Sequence, residues 1–282
     1  MDTQTIDLYS YWDLPRPAHS AGILSCYCPR HPADENARRP GLLILPGGGY
    51  GHVSARESEG VALRFAARGY AAFVLRYAVT PGEYPTALQE AAMAMAYIRR
   101  TCREHEVDPR QIAAMGFSAG GHLCGLLGTM FDSPEVMCLG LPGSLRPDAL
   151  CLCYPVAVSW GRTHDGSFDS LTHGDTALRR KLSLDRLVRR DMPPVFLWHT
   201  RDDAAVPCRN SLVLAAALEE AGVDFALRIY RHGSHGLSLG DATVFPAGRV
   251  PDMSPGVPGW PEEAMEFLKE IGFGIINEGE TR

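Results

Sequence analysis

A serine stands between glycines at Gly116-Phe117-Ser118-Ala119-Gly120. The run Gln111-Ile112-Ala113-Ala114-Met115 leads into it, and small residues from Gly121 to Met130 lead away in a pattern that reads as a helix. Strand, tight turn and helix, with almost no side chain two positions before and after the serine, make a nucleophile elbow. The strain of that turn lifts the hydroxyl into solvent above the sheet. A serine hydroxyl is a weak nucleophile at neutral pH, so it needs a base to take its proton and an acid to orient the base. Candidates for both lie downstream, each after an apolar run. Pro194 to Trp198 is followed by Asp202 and Asp203, and Phe225 to Tyr230 by His232 and His235. Asp203 is the favoured acid, because Asp203-Ala204-Ala205-Val206-Pro207 places it where the loop folds back. His235 is the favoured base, because Gly233 and Gly236 loosen its position and His232 lies closer to the strand end. The chain order is then serine, acid, histidine, with Asp203 85 residues after Ser118 and His235 32 residues after Asp203.

A fourth element lies upstream, where Leu42-Leu43-Ile44-Leu45 is followed by Pro46-Gly47-Gly48-Gly49-Tyr50. Consecutive glycines cost backbone entropy on ordering. A backbone that must pass close to a reacting carbonyl accounts for them. The N–H groups of Gly48 and Gly49, with that of Ala119, are placed to bind the negative oxygen formed when an ester carbonyl is attacked. A phosphate-binding loop is the rival reading, but no Gly-Lys-Ser/Thr follows and no G-x-G-x-x-G occurs.

Positioning these groups takes alternating strands and helices. Strands are predicted near 22–27, 41–45, 71–76, 111–116, 149–154, 194–199 and 225–230, and helices near 57–68, 85–104, 119–130, 208–221 and 261–270. That alternation predicts a three-layer α/β fold, a mostly parallel sheet with helices on both faces. Every motif above falls at the carboxyl end of a strand, where such sheets bind ligands. Residues 1–282 read as one domain, interrupted at 157–191 by Trp160, His164, Asp165, Phe168 and His173 and by a basic helix predicted near 176–190. This insertion is either a lid over the site or a surface helix with solvated arginines. His122, just after the elbow, reads as a packing residue. Cys26 and Cys28, and Cys151 and Cys153, are spaced to share a strand face as buried small apolar groups, which is preferred to a metal site built with His31.

The glycine loop and the triad together resemble the α/β-hydrolase esterases, especially their acetyl xylan esterase-like branch. Pro46 to Tyr50, Tyr77-Ala78-Val79 with Tyr84-Pro85, Gly116 to His122, Pro193 to Thr200 and His232 to Leu237 carry the likeness, which covers most of residues 20–240. Pro46 departs from it, since many relatives have histidine there, and the proline-rich stretch Val244 to Pro261 stands outside it. The resemblance implies Ser118 as nucleophile, Asp203 as acid, His235 as base, and Gly48, Gly49 and Ala119 as oxyanion donors. Tyr50 and Trp160 are the candidates for contact with substrate. The implied activity is serine carboxylic-ester hydrolysis of the acetylesterase type, without cofactor or metal, on small or carbohydrate acetate esters such as acetylated oligosaccharides. The same triad also serves amides and thioesters, so a serine peptidase, thioesterase or aryl-formamidase is the alternative, as is an inactive hydrolase used for binding.

Composition agrees with a globular enzyme, at 45% hydrophobic and 21% charged residues over 282. A net charge of −6 argues against nucleic acid or an anionic membrane as the main partner. No apolar run approaches the ~18 residues of a spanning helix. The first residues show neither a basic nor an apolar secretory region, and with eight cysteines the expectation is a reducing cytoplasm.

Overall fold

Leu42 and Ile44 belong to one apolar cluster, Leu43 and Leu45 to another, and all four are fully buried. A strand apolar on both faces must be covered on both sides, and the rest of the chain forms the two covering layers. The computed structural model describes residues 3–29, 37–246 and 248–277. Its strands are β1 (Thr3–Asp7), β2 (Ile23–Tyr27), β3 (Ala37–Leu45), β4 (Ala71–Arg76), β5 (Val107–Phe117), β6 (Ala149–Cys153), β7 (Val195–Thr200), β8 (Phe225–Tyr230) and β9 (Ile276–Asn277). Its helices are α1 (Leu8–Trp12), α2 (Glu59–Ala66), α3 (Thr86–Arg100), α4 (Ala119–Met130), α5 (Pro134–Met137), α6 (Asp165–Thr172), α7 (Thr176–Lys181), α8 (Leu184–Leu187), α9 (Arg209–Ala221) and α10 (Trp260–Glu270), with a 3₁₀ turn at Ala55–Glu57.

The sheet runs β1-β2-β4-β3-β5-β6-β7-β8, with β9 pairing β3. Pairing is parallel from β4 to β8 and antiparallel at β1–β2 and β2–β4. This is the three-layer, mostly parallel architecture expected from the alternation. One face packs against α1, α3, α4 and α9, for instance through Leu88, Leu126 and Leu214. The other packs against α2 and α10 through Phe65, Trp260 and Phe267. The cysteine spacing behaves as its two-residue period requires: Cys151 and Cys153 are fully buried in one cluster, and Cys26 is 2% exposed in the other. His31 lies outside the described residues.

One expectation needs correction here. The basic stretch near 176–190 is not one helix but α7 and α8, separated at Leu182 and Ser183. Ser183 is fully buried and its hydroxyl accepts the Ser159 N–H at 2.8 Å, a tertiary contact that competes with helix continuation. β1 and the short helices α1, α5 and α6 were not expected from the pattern. No helix among the described residues is long and apolar enough to cross a membrane.

Candidate active site

The elbow forms between β5 and α4. Ser118 adopts φ 54° and ψ −119°, a conformation that side-chain-bearing residues rarely hold. Its N–H donates to Cys153 O of β6 at 3.0 Å, and its carbonyl accepts from His122 at 3.1 Å and Val156 at 3.1 Å. Flanking space is as scarce as the pattern requires. A Cβ on Gly116 would lie 2.1 Å from Gly120 O, and one on Gly120 would lie 2.1 Å from Leu45 O. Side chains at either position would therefore force the strand, helix and glycine loop apart.

His235 Nε2 lies 2.8 Å from Ser118 Oγ, and His235 Nδ1 lies 2.6 Å from Asp203 Oδ2. A carboxylate only accepts, so the imidazole carries its proton on Nδ1 and turns the Nε2 lone pair to the serine hydroxyl. Asp203 is held on both oxygens. Oδ1 accepts the N–H groups of Ala205 at 3.0 Å and Val206 at 2.9 Å, and His199 Nε2 stands 3.4 Å from Oδ2. The turn through Val206-Pro207 thus wraps the carboxylate, as the local sequence implied. His199 is fully buried, with Nε2 donating to Val206 O at 2.8 Å and Nδ1 paired with Ser211 Oγ at 2.7 Å.

Asp202 and His232, the competing acid and base, pair with each other. The Asp202 carboxylate bonds His232 Nδ1 and accepts the Gly233 N–H at 2.9 Å. The two acids share a loop but serve different partners, and both Asp202 and His232 are exposed.

Burial alone would raise the Asp203 carboxyl. Hydrogen bonds from His199 and His235, the His235 charge and the Val206 N–H outweigh burial and hold it well below its ordinary value of 3.8. A carboxyl depressed in the folded state stabilises the fold above the unfolded value, and that stability is lost as pH falls toward the native value. Thermal unfolding measured from pH 7 down to pH ~2 should therefore show the wild type losing its advantage over Asp203→Asn below pH ~4. A constant difference across that window would contradict the linkage.

The glycine loop crosses beside the elbow. Gly47 N–H donates to Glu57 Oε2 at 2.7 Å, and Tyr77 Oη donates to Pro46 O at 2.6 Å. Gly48 and Gly49 follow with φ 129° and 64°. Among the described residues, neither N–H has a hydrogen-bond partner. Ala119 opens α4, where the first N–H groups have no carbonyl one turn back. Three free donors therefore belong to the two segments that meet at Ser118, an arrangement able to receive an anionic oxygen.

Tyr50, expected to contact substrate, is 2% exposed, and its hydroxyl bonds His122 Nδ1 at 2.8 Å. Its ring fills the core beneath the loop, so the side chain supports the loop rather than facing the cleft. His122 donates from Nε2 to Leu182 O at 2.8 Å and is fully buried, which pushes its pKa down to about 4. It is the neutral packing residue expected, and it ties the elbow helix to the glycine loop and the 157–191 segment. Trp160 is 42% exposed, with one face covered by the Arg209 guanidinium at 4.1 Å and its indole N–H donated to Asp185 at 2.9 Å.

Three further residues lie near the triad; Glu57 and Tyr154 carried no signal of their own in the sequence, and His164 stood out only as part of the 157–191 insertion. Glu57 is buried at 4% exposure. Tyr154 stacks edge-on against His235 with ring centroids 5.1 Å apart. His164, half-buried, has its Cε1 3.8 Å from where a Cβ on Gly49 would lie. Its Nδ1 accepts the Ser167 N–H at 3.1 Å, which leaves the proton on Nε2. Burial first, and then the nearby His235, lower its pKa and favour the neutral ring. The contacts of Tyr154 with His235 and of His164 with the glycine loop span long sequence distances, which local pattern cannot show.

Known proteins resemble this chain over most of its length. Residues 89–244 match the model of the prolyl oligopeptidase family, and residues 26–138 match the BD-FAE model. The crystal structure of an acetyl ester-xyloside bifunctional hydrolase from Caldicellulosiruptor lactoaceticus is similar at a TM-score of 0.81 and 35% identity, over 96% of this chain and 97% of that one. Endo-1,4-beta-xylanase B of Butyrivibrio fibrisolvens is 34% identical over 224 residues, 75% of this chain and 34% of that protein. Acetylxylan esterase of Xylanibacter ruminicola is 27% identical over 223 residues, 76% of this chain and 43% of that protein. The chain thus spans less than half the length of these last two relatives. The chain belongs to the α/β-hydrolases, in their acetyl xylan esterase-like, short-chain carboxylesterase branch.

Proposed function

We propose that the protein hydrolyses short-chain carboxylic esters, chiefly acetates, through a serine acyl-enzyme. The observation that carries this reading is the continuous hydrogen-bond chain Ser118–His235–Asp203, at 2.8 and 2.6 Å, set beside the glycine loop. In this reading Ser118 Oγ attacks the ester carbonyl while His235 Nε2 takes its proton. The oxyanion is received by the N–H groups of Gly48, Gly49 and Ala119, and the imidazolium is stabilised by Asp203. His235 then protonates the departing alcohol. Water, deprotonated by the same imidazole, releases the acid and restores Ser118.

The acyl side is expected to be short. Val156, Phe168 and Val206 form a buried apolar cluster. Two of its members are tied to the triad, Val156 N–H to Ser118 O and Val206 N–H to Asp203. The 157–191 segment, which supplies Phe168 and His164, acts in this reading as a lid. Each methylene in a fitted pocket is worth only ~1–3 kcal/mol, so a cut-off in chain length needs such a wall. With p-nitrophenyl esters from acetate to octanoate, acetate and propionate should be cleaved fastest and octanoate at least ~100-fold more slowly in kcat/KM. Efficient octanoate cleavage would sink the acetylesterase reading.

On the alcohol side, acetylated xylo- or manno-oligosaccharides are the favoured substrates. The names of the xylan-degrading relatives and of the acetyl ester-xyloside hydrolase support this choice. The eight cysteines stand as free thiols, which favours a reducing, cytoplasmic setting and substrates small enough to be taken up. The match to the prolyl oligopeptidase family favours a second reading, amide cleavage. Faster turnover of aminoacyl p-nitroanilides than of p-nitrophenyl acetate would select it.

A further inference from the structure

Glu57 has no part in the proton transfers described above, yet it is buried between the two loops that serve Ser118. Its two oxygens face different ways. Oε2 accepts the Gly47 N–H at 2.7 Å, and Oε1 accepts the Tyr154 hydroxyl at 2.7 Å. Among the described residues no cationic side chain pairs with it. Gly47 begins the glycine loop and is wedged against the elbow: a Cβ there would lie 2.8 Å from Glu57 Oε2, 2.8 Å from Phe117 O and 3.0 Å from Ser118 Cβ. The Gly47 N–H bond therefore sets the peptide plane from which Gly48 and Gly49 follow.

The other oxygen reaches the base loop. Tyr154 Oη accepts the Ser238 N–H at 2.9 Å, and its ring supports His235 edge-on. The turn at Ala55–Glu57 holds that loop twice more, through Arg56 Nη1 to Gly236 O at 2.9 Å and Ser238 Oγ to Arg56 O at 2.7 Å. We infer that Glu57 is a positioning residue whose carboxylate locks the oxyanion loop, through Gly47, and the general-base loop, through Tyr154 and Ser238, into one rigid frame around Ser118. Both oxygens must accept. A glutamine in the same place has one acceptor and one NH₂, so either Gly47 N–H or the Tyr154 hydroxyl loses its acceptor. The inference rests on the esterase reading and adds the group that keeps its two halves in register.

The test is Glu57→Gln beside Tyr154→Phe, both assayed on p-nitrophenyl acetate, with competent sites counted by phosphonate titration. Because both loops act in the transition state, kcat per competent site should fall by about 10–100-fold in Glu57→Gln. KM should stay within about threefold, and the affinity for a boronate transition-state analogue should fall in proportion to kcat. Tyr154→Phe should lower kcat as well. Adding it to Glu57→Gln should cost far less than the product of the two effects, since both cut the same link. A Glu57→Gln enzyme with wild-type kcat per titrated site would overturn the inference, as would a loss that lies only in the number of titratable sites. If that variant does not fold, a Tyr154→Phe enzyme with unchanged kcat and unchanged boronate affinity would overturn it alone. A wild type that fails to cleave the ester would count against the esterase reading instead.

Discussion

Replacing Ser118 by alanine is expected to lower kcat on p-nitrophenyl acetate by about 10⁴–10⁶-fold without altering the melting temperature by more than a few degrees. The hydroxyl is the attacking group, and its removal leaves only the oxyanion donors and binding. Asp203→Asn and His235→Ala should each cost a comparable factor, and the double variants should be little worse than the singles, because the three side chains act as one unit. Asp202→Asn and His232→Ala are the controls. That pair is exposed and bonded to itself, so removing either should change kcat by no more than about threefold. A large loss in Asp202→Asn with a mild one in Asp203→Asn would transfer the role of acid to the neighbouring residue. The pH profile adds a second reading of the same network. Asp203 is held ionised far below neutrality, so Asp203→Asn should remove activity at every pH.

The second large effect is expected at the glycine loop, and it should differ between adjacent positions. A Cβ on Gly48 would lie 2.0 Å from His52 O, a backbone atom that cannot yield without displacing the turn. Gly48→Ala should therefore shift the loop and cost at least the ~10²–10³-fold in kcat that follows loss of one oxyanion donor. At Gly49 the space is open, the nearest atoms being His164 Cε1 and Ser167 Oγ at 3.8 Å, and only the positive φ of 64° resists a side chain. Gly49→Ala should keep the loop in place and lose much less, whereas Gly49→Val, larger and β-branched, should approach the cost of Gly48→Ala. Kinetics with melting curves would separate the cases. Equal, small effects at both glycines would mean that the loop is an ordinary turn and that the oxyanion is stabilised elsewhere.

Much of this was legible because the site is built from local necessities. Parallel strands buried on both faces appear as unbroken apolar runs, so β3 to β7 could be read from Leu42–Leu45, Ala71–Leu75, Ile112–Met115, Ala149–Cys153 and Val195–Trp198. The elbow shows itself because its backbone excludes side chains at Gly116 and Gly120, and helix α4 falls on the residues predicted for it. β1 was not legible. It is an edge strand with an exposed face, and Thr3-Gln4-Thr5 carries no apolar alternation. The 165–187 region was misread for a different reason. Its helices are four to eight residues long, and α7 ends where tertiary contacts at Leu182 and Ser183 take over, so its basic composition said little about its shape. Glu57, Tyr154 and His164 were invisible as site residues because their contacts join segments far apart in the chain, 97 residues in the case of Tyr154 and Glu57. Tyr50 shows the opposite error. An aromatic beside a glycine loop invites a substrate role, but the αL turn at φ 57° sends the ring into the core toward His122.

The central claim is that Ser118 forms the covalent intermediate, and stoichiometric labelling tests it most directly. The protein would be treated with diethyl p-nitrophenyl phosphate, the released nitrophenolate counted, and the adduct located by mass spectrometry of peptides. One phosphoryl group per chain is expected, on Ser118, with esterase activity lost in step with labelling and no labelling in Ser118→Ala. Complete loss of activity with the adduct on another residue, or ester hydrolysis that persists in fully labelled protein, would contradict it.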